Sequence, residues 1–407
     1  MIKVEKKITF IYTDKVEYQC AEPIAEEAKK RGFVVEFSDD IFKKCEIGFY
    51  FQHLCYPKNS KFSVVMLHDL GQQHGEWPIM WKNEFWNDFS LGFLPSNEWV
   101  SMWHNASCYN FVRPKYGCYF SGWQKADKIK KNIFQEECEK IVEKYEIDRS
   151  KKTILYAPSW EWGGRQLEII ESCKDLDVNL IIKHAPWNPE NYPEQVKIID
   201  DMTRQSQGKK NVYILDSAIS IFNTINISDV LISEESSTLY EAMMLDKPVI
   251  AVTDWLIPDV IPPRLPDFPY DFAIHISKNE LKNTIETVML DESYRNKIIE
   301  YRKTNFSNLG MAAKTVMDIL CDVLSGNDIS DKRIHELPLV KTPKEFKKTV
   351  KKRKKIMSRY FIKKKYVERY SLLNVIWNKM KYMRGGVENN SVHSYCLIDA
   401  TALKKVA

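Results

Sequence analysis

Four short stretches of this chain carry residue types suited to phosphate chemistry. In "QQHGEW" (72–77), His74 and Gly75 stand just downstream of an apolar run, followed by Glu76. An imidazole titrating near pH 6.5 suits a general base that takes a proton from a hydroxyl. His68, in "MLHDLG", lies nearer the strand and is read as structural. "IIKHAP" (181–186) sets Lys183 beside His184 where Pro186 stops a strand; either could neutralise charge on a transferring phosphate. The plainer reading is a surface Lys-His pair at a loop start. "ILYAPSW" ends with Ser159 in the equivalent position. In "LISEESSTLYEAMMLDKPVIA" (231–251), Ser236 and Ser237 stand where a helix begins, so hydroxyls and free N–H groups could receive an anion. Glu241, one turn further, could accept from ribose hydroxyls. Plain serine N-capping accounts for the same pattern. No Asp/Glu cluster with metal-ligand spacing stands out, so metal-independent chemistry is expected.

These stretches need a scaffold that brings strand ends together. "KITFIYT" (7–13) reads as a buried strand, "AEPIAEEAKKRG" (21–32) as a helix ending at Gly32, and "FVVEF" (33–37) as the next strand, a βαβ unit. Further strands are expected at 47–51, 62–67 and 91–95, and a long charged helix from Lys125 to Tyr145. A second series of strands follows at 152–158, 178–184, 211–216, 229–233, 248–253 and 272–276, closed by helices over 277–324. The pattern predicts an α/β chain: two Rossmann-like domains facing a cleft. Boundaries are placed at 1–130 for the first domain, 131–325 for the second and 326–407 for a basic helical extension. His74, Ser159, His184 and Ser236 then all lie beyond the C-terminal ends of strands, where such sheets bind ligands.

Composition narrows the class. With 407 residues, 44% hydrophobic and 12% aromatic, the chain has ample material for two cores. Its nine cysteines form no Cys-x-x-Cys pair and no pairing rhythm, which predicts reduced thiols and no zinc site. The opening "MIKVEKKITFIYTDK" lacks a long apolar core, and no run is long enough to span a membrane. The net charge of +5 is uneven. Lys341 to Arg384 holds 17 Lys/Arg against Glu345 and Glu368, or +15, leaving −10 on the remainder.

The motifs "QQHGEWPIMWK", "GFLPSN", "GWQKAD", "ILYAPSW", "IIKHAP" and "DVLISEESSTLYEAMMLDKPVIA" resemble, in order and spacing over about residues 60–255, the CDP-glycerol glycerophosphotransferases. The resemblance implies a GT-B fold and transfer of a polyol phosphate from CDP-glycerol or a related nucleotide-linked donor. The acceptor would be a hydroxyl of a lipid-linked or cell-surface glycan in teichoic-acid or capsule synthesis, with release of CMP. It implies His74 as base, His184 with Lys183 at the phosphates, and Ser236 and Ser237 on the pyrophosphate. It also brings Gly75, Glu76 and Asp127 to the acceptor or the donor's polyol; Asp127 closes a stretch in which the family's proline is replaced. Three positions depart from the family: Glu76-Trp77-Pro78 after His-Gly, Ser233-Glu234-Glu235 before the serines, and Glu161 where a basic residue is usual, with Arg165 nearby.

Two other readings compete. One is a GT-B glycosyltransferase using a nucleotide sugar for capsule, lipopolysaccharide or other surface glycans. The other is a carbohydrate-binding scaffold whose tryptophans, including Trp86, Trp99 and Trp103, stack sugars. No nucleic-acid partner is expected. From Lys341 to Lys355 nine of fifteen residues are cationic, and Thr342-Pro343-Lys344-Glu345 forms a capping box. This segment predicts a cytoplasmic protein held peripherally, through residues 341–369, on the anionic inner face of the cell membrane.

Overall fold

The computed structural model describes residues 2–351 except 14, 52–55, 71–85, 111, 190–191, 260–261, 268–270, 341–343, 346–347 and 349–350. Two six-stranded sheets form the framework. The first contains β1 (Lys7–Ile11), β2 (Val34–Ser38), β3 (Cys45–Tyr50), β4 (Ser60–Val65), β5 (Leu91–Leu94) and β6 (Cys118–Phe120), in the order β2-β1-β3-β4-β5-β6. The second contains β7 (Lys152–Tyr156), β8 (Val178–Ile182), β9 (Val212–Ile214), β10 (Val230–Ser233), β11 (Val249–Val252) and β12 (Ile274–Ile276), in the order β12-β11-β10-β7-β8-β9. Every ladder between these strands is parallel. This is the doubly wound α/β architecture read from the sequence. Parallel strands covered on both faces must be apolar throughout, and β5, β8, β10 and β11 are buried at every residue.

The second sheet fixes where a ligand can sit. The chain leaves β7 toward β8 and β9 on one side, whereas β10, β11 and β12 lie on the other. That reversal opens a crevice beyond the C-terminal ends of β7 and β10.

The helices are α1 (Lys15–Lys30), α2 (Asn97–Asn110), α3 (Ile133–Lys144), α4 (Arg165–Cys173), α5 (Pro193–Ser206), α6 (Ile221–Asn226), α7 (Ser237–Met244), α8 (Leu281–Leu290), α9 (Ser293–Asn305) and α10 (Ala312–Ser325). Four differences from the sequence reading stand out. Helix α1 starts before Ala21 and runs through Pro23, because Cys20, Ala21, Ile24, Ala25 and Ala28 bury one face. The expected helix over 125–145 is instead a 3-10 segment, Gln124–Lys130, broken at an extended Lys131 before α3. Strand β6, only three residues long, offers no periodicity to detect and is defined by its pairing with β5. Finally, α10 does not close the second half. It crosses back onto α1, where Val316, Met317 and Leu320 are buried and Arg31 pairs with Asp318 at 2.7 Å.

One apolar cluster therefore runs from the first sheet through α7 and α10. Trp86, Trp99 and Trp103 belong to it and are at most 1% exposed, so they cannot serve as the sugar platforms of the scaffold reading.

Candidate active site

Glu234 organises the turn beyond β7. This fully buried carboxylate accepts from the Ser159 backbone N–H (2.9 Å), the Ser159 hydroxyl and the Trp160 N–H (3.0 Å). Arg165, also buried, lies 3.1 Å from the same oxygen and donates to the Trp160 carbonyl at 2.8 Å. Charge and hydrogen bonding together make this burial tolerable. The departure from the family pattern is thus internally balanced: Arg165 supplies the missing cation and Glu234 is its partner. Glu235 is held by a two-pronged contact with Arg264 at 2.7 and 2.8 Å, a cation it shares with Asp259 at 2.7 Å, and by the Asp267 N–H at 2.8 Å. Neither carboxylate opposes an incoming anion as a bare charge.

Beyond β8, Lys183 and His184 are both buried. The Lys183 ammonium donates to the carbonyls of His184 (3.3 Å) and Ser217 (3.2 Å). Burial lowers its pKa to about 8, so it remains largely a cation at neutral pH. His184 differs. Burial, then the neighbouring Lys183 charge, pushes its pKa down to about 4, which makes it a neutral imidazole. Its tautomer follows from its neighbour. The Gln166 amide nitrogen donates to Met202 O (3.0 Å) and Ser206 Oγ (2.7 Å), which aims Gln166 Oε1 at His184 Nε2, 2.7 Å away. Nε2 therefore carries the proton and Nδ1 is the basic nitrogen. The charge at this strand end belongs to Lys183.

The third contribution is the start of α7. Ser236 is its N-cap, its hydroxyl accepting from Thr238 N–H at 3.2 Å, as plain capping requires. Ser237 reaches the other half of the molecule: its hydroxyl donates to Asp69 and accepts from Leu70 N–H at 3.1 Å. Glu241 is buried, and its Oε1 takes the Lys125 ammonium at 2.9 Å and the Trp123 indole N–H at 3.2 Å. An interdomain ion pair thus engages the carboxylate expected at the ribose. Glycine is required at 122, where φ is +77° and a Cβ would meet Ser307 O at 2.8 Å.

Ser159, Lys183, His184, Ser236, Ser237 and Glu241 are thus positioned by the ends of adjoining strands β8, β7 and β10. Asp127 is placed elsewhere. Its two oxygens accept from Ala312 N–H (2.8 Å) and Ala313 N–H (2.7 Å), capping α10, and burial raises its pKa to about 6. Its role here is to hold the returning helix. His74, Gly75 and Glu76 lie outside the described residues. His68 Nδ1 meets the Phe51 carbonyl, in keeping with a structural role. Lys125, Gln166 and Arg264 were missed as site-forming residues, because their partners come from distant segments. Among the described residues, no group of three or more His, Cys, Asp or Glu side chains gathers where it could hold a metal ion.

Comparisons with known proteins bear on the family and the fold. The model of the family described as CDP-glycerol:poly(glycerophosphate) glycerophosphotransferase matches residues 66–308, more than half of the chain. The chain belongs to that family. A teichoic acid poly(glycerol phosphate) polymerase of Bacillus spizizenii is 25% identical over 186 residues, covering 43% of this chain and 45% of that protein. The chain therefore matches less than half the length of this relative. Among solved structures, the wall teichoic acid polymerase TagF superposes with a TM-score of 0.54 at 13% identity, over 79% of this chain and 89% of that one. A UDP-GlcNAc 2-epimerase from Neisseria meningitidis gives a TM-score of 0.54 at 14% identity, over 78% and 100%. At such identities the likeness concerns the fold, and both agree with two facing Rossmann-like halves. The glycerophosphotransferase match begins at Met66 and takes in β5–β12 and every strand-end residue described above.

Proposed function

We propose that the protein moves a glycerol-phosphate type polyol phosphate from a CDP-linked donor to a hydroxyl of a lipid-linked or cell-surface glycan. The observation that carries this reading is the joint position of Lys183, Ser159 and the Ser236-capped start of α7 at the switch-point crevice, inside the family-matched region. A pyrophosphate there would meet one buried ammonium, hydroxyls and helix N–H groups. In the proposed step the acceptor oxygen attacks the phosphorus that bears the polyol, and His74 takes the hydroxyl proton. The bridging P–O bond breaks and CMP leaves with that electron pair. Lys183 offsets the charge that spreads over the phosphoryl oxygens. His184, neutral and proton-bearing on Nε2, positions without adding charge. The pairing of Glu234 with Arg165 and Glu235 with Arg264 supports a dianionic donor. Metal-independent transfer through these cations is part of the proposal.

A panel of CDP-polyols, UDP-sugars and CMP-sugars, followed by nucleotide release, tests the reading. CMP from a CDP-polyol, undiminished by EDTA, is the expected result. UDP from a UDP-sugar would replace it with glycosyl transfer, and no release from any donor would leave a binding protein. In the active pairing, His74→Ala should lower the rate by on the order of 10²–10⁴ with donor affinity retained.

A further inference from the structure

Beyond the donor phosphates the structure holds a second feature that the reaction above leaves unused. Trp160 and Trp187, half-buried, follow the ends of β7 and β8 respectively, and Tyr192 completes a three-ring cluster with them. The ring centroids lie 4.5 Å (Trp160–Trp187), 4.6 Å (Trp187–Tyr192) and 6.0 Å (Trp160–Tyr192) apart. The interplanar angles are 44°, 66° and 78°, so no two rings are parallel. This contrasts with Trp86, Trp99 and Trp103, which are sealed in the core.

The backbone that carries these rings is held more firmly than a surface tryptophan needs. The Trp160 N–H is bound by buried Glu234 (3.0 Å) and its carbonyl by buried Arg165 (2.8 Å). The same Glu234 oxygen holds Ser159 through its N–H and its hydroxyl, so Trp160 and Ser159 are set by one anchor. Trp187 sits in "HAPWNPENYP", where Pro186, Pro189 and Pro193 restrict the chain. Its N–H bonds Ala185 O at 2.9 Å, and Tyr192 N–H bonds Asn188 O at 2.8 Å. Rigid aromatic side chains beside an anion site are preorganised for a flat ligand.

We propose that Trp160, Trp187 and Tyr192 form the subsite that stacks the donor's nucleobase. The inference rests on the donor reading above and names the part of the donor it leaves unplaced. Its support is spacing. Strands β10, β7 and β8 are successive neighbours, so the segments that carry Trp160 and Trp187 leave strand ends about 5 and 10 Å, one and two strand spacings, from the end of β10 that leads into α7. A nucleoside extends from its phosphates over such a span. Stacking on aromatic rings is tolerant of base identity because every base has a π-face; hydrogen-bonding groups would then select cytosine.

The test is calorimetry on the full chain with CDP and with inorganic pyrophosphate, which shares the phosphates and lacks the base. Trp187→Ala should weaken CDP on the order of tenfold and leave pyrophosphate unchanged, and Trp187→Phe should recover most of the loss. Equal weakening of both probes would overturn the proposal, since it would report a loosened loop. CDP affinity unchanged, with a raised acceptor KM, would also overturn it and assign the rings to the acceptor's sugar. Wild-type protein that binds neither probe would instead remove the donor reading itself, a pattern distinct from both.

Discussion

Lys125 and Glu241 meet across the boundary between the two halves, ammonium to carboxylate at 2.9 Å, with the carboxylate fully buried. Lys125 belongs to the 3-10 segment after β6 and Glu241 to α7, whose first turn faces the crevice. Trp123 N–H adds a hydrogen bond to the same oxygen, and the Lys125 ammonium lies 5.5 Å from the centre of the Trp123 ring. Burial by itself would lower the Lys125 pKa, but attraction to Glu241 and the groups around it, with the hydrogen bond to Glu241, together raise it, so Lys125 keeps its charge. Further bonds tie α7 to the first half: Ser237 to Asp69 and to the Leu70 N–H, and Tyr240 OH to Glu98 at 2.9 Å. Helix α7 is thus positioned by both halves.

Breaking that pair from one side should be severe. Lys125→Met leaves Glu241 buried without its cation, and a loss of about 3–5 kcal/mol is expected. The double variant Lys125→Met with Glu241→Leu should be more stable than Lys125→Met alone, because no charge is then stranded. Urea unfolding measures both. A single-variant loss below ~1 kcal/mol would show that water reaches the pair and screens it.

Glu161 sets a slope in stability against pH. Buried, it accepts from Tyr156 OH at 2.8 Å and from Gln166 N–H at 3.3 Å, and burial raises its pKa to about 7 from an ordinary 4.5. Between those values the folded protein holds a proton that the unfolded chain has released. The contribution of Glu161 is therefore fully present below pH 4.5 and declines as pH rises to about 7, by on the order of 3 kcal/mol. Glu161→Gln should match the wild type at pH 4.5 and exceed it in stability at pH 8. Chemical denaturation at the two pH values checks this; parallel behaviour at both would mean Glu161 is ionised throughout.

His184 should titrate far from ordinary histidine. With a folded pKa of about 4 against 6.5 unfolded, it contributes stability above pH 6.5 that is lost as pH falls toward 4. Proton-nitrogen NMR of the imidazole should show a neutral ring, protonated on Nε2, from pH 8 down to 5. Any bell-shaped rate profile near neutrality then belongs to another group, and a His184 midpoint near 6.5 would contradict the buried geometry.

The basic tail carries a prediction independent of the fold. Residues 341–369 lie largely outside the described region, and their sequence supports electrostatic attachment to an anionic membrane at ~1 kcal/mol per exposed cation. No helix among the described residues is long and apolar enough to cross a membrane. The protein should float with anionic vesicles, not neutral ones, and be released by salt as screening shortens the reach of its charges. Equal recovery with both vesicles, or indifference to salt, would exclude the mechanism.

Sequence alone determined the sheets and the edge on which the site is built. Apolar β-branched runs such as "KTILY", "VNLII" and "VLIS" have no alternative to burial as parallel strands, and serine, lysine and histidine just past their ends must lie on the same rim. Those signals are local, which is why they can be read in one dimension. Partners were decided only in three dimensions. Whether Glu234 and Glu235 repel a donor depends on Arg165 and Arg264, the latter 29 positions from Glu235. The proton that His184 carries depends on Gln166, itself turned by residues of α5. Asp127, legible as part of a motif, became a cap for α10 because that helix returns across 185 positions to meet it. Charge compensation, tautomer and capping are properties of pairs, and these pairs exist only once the chain has folded.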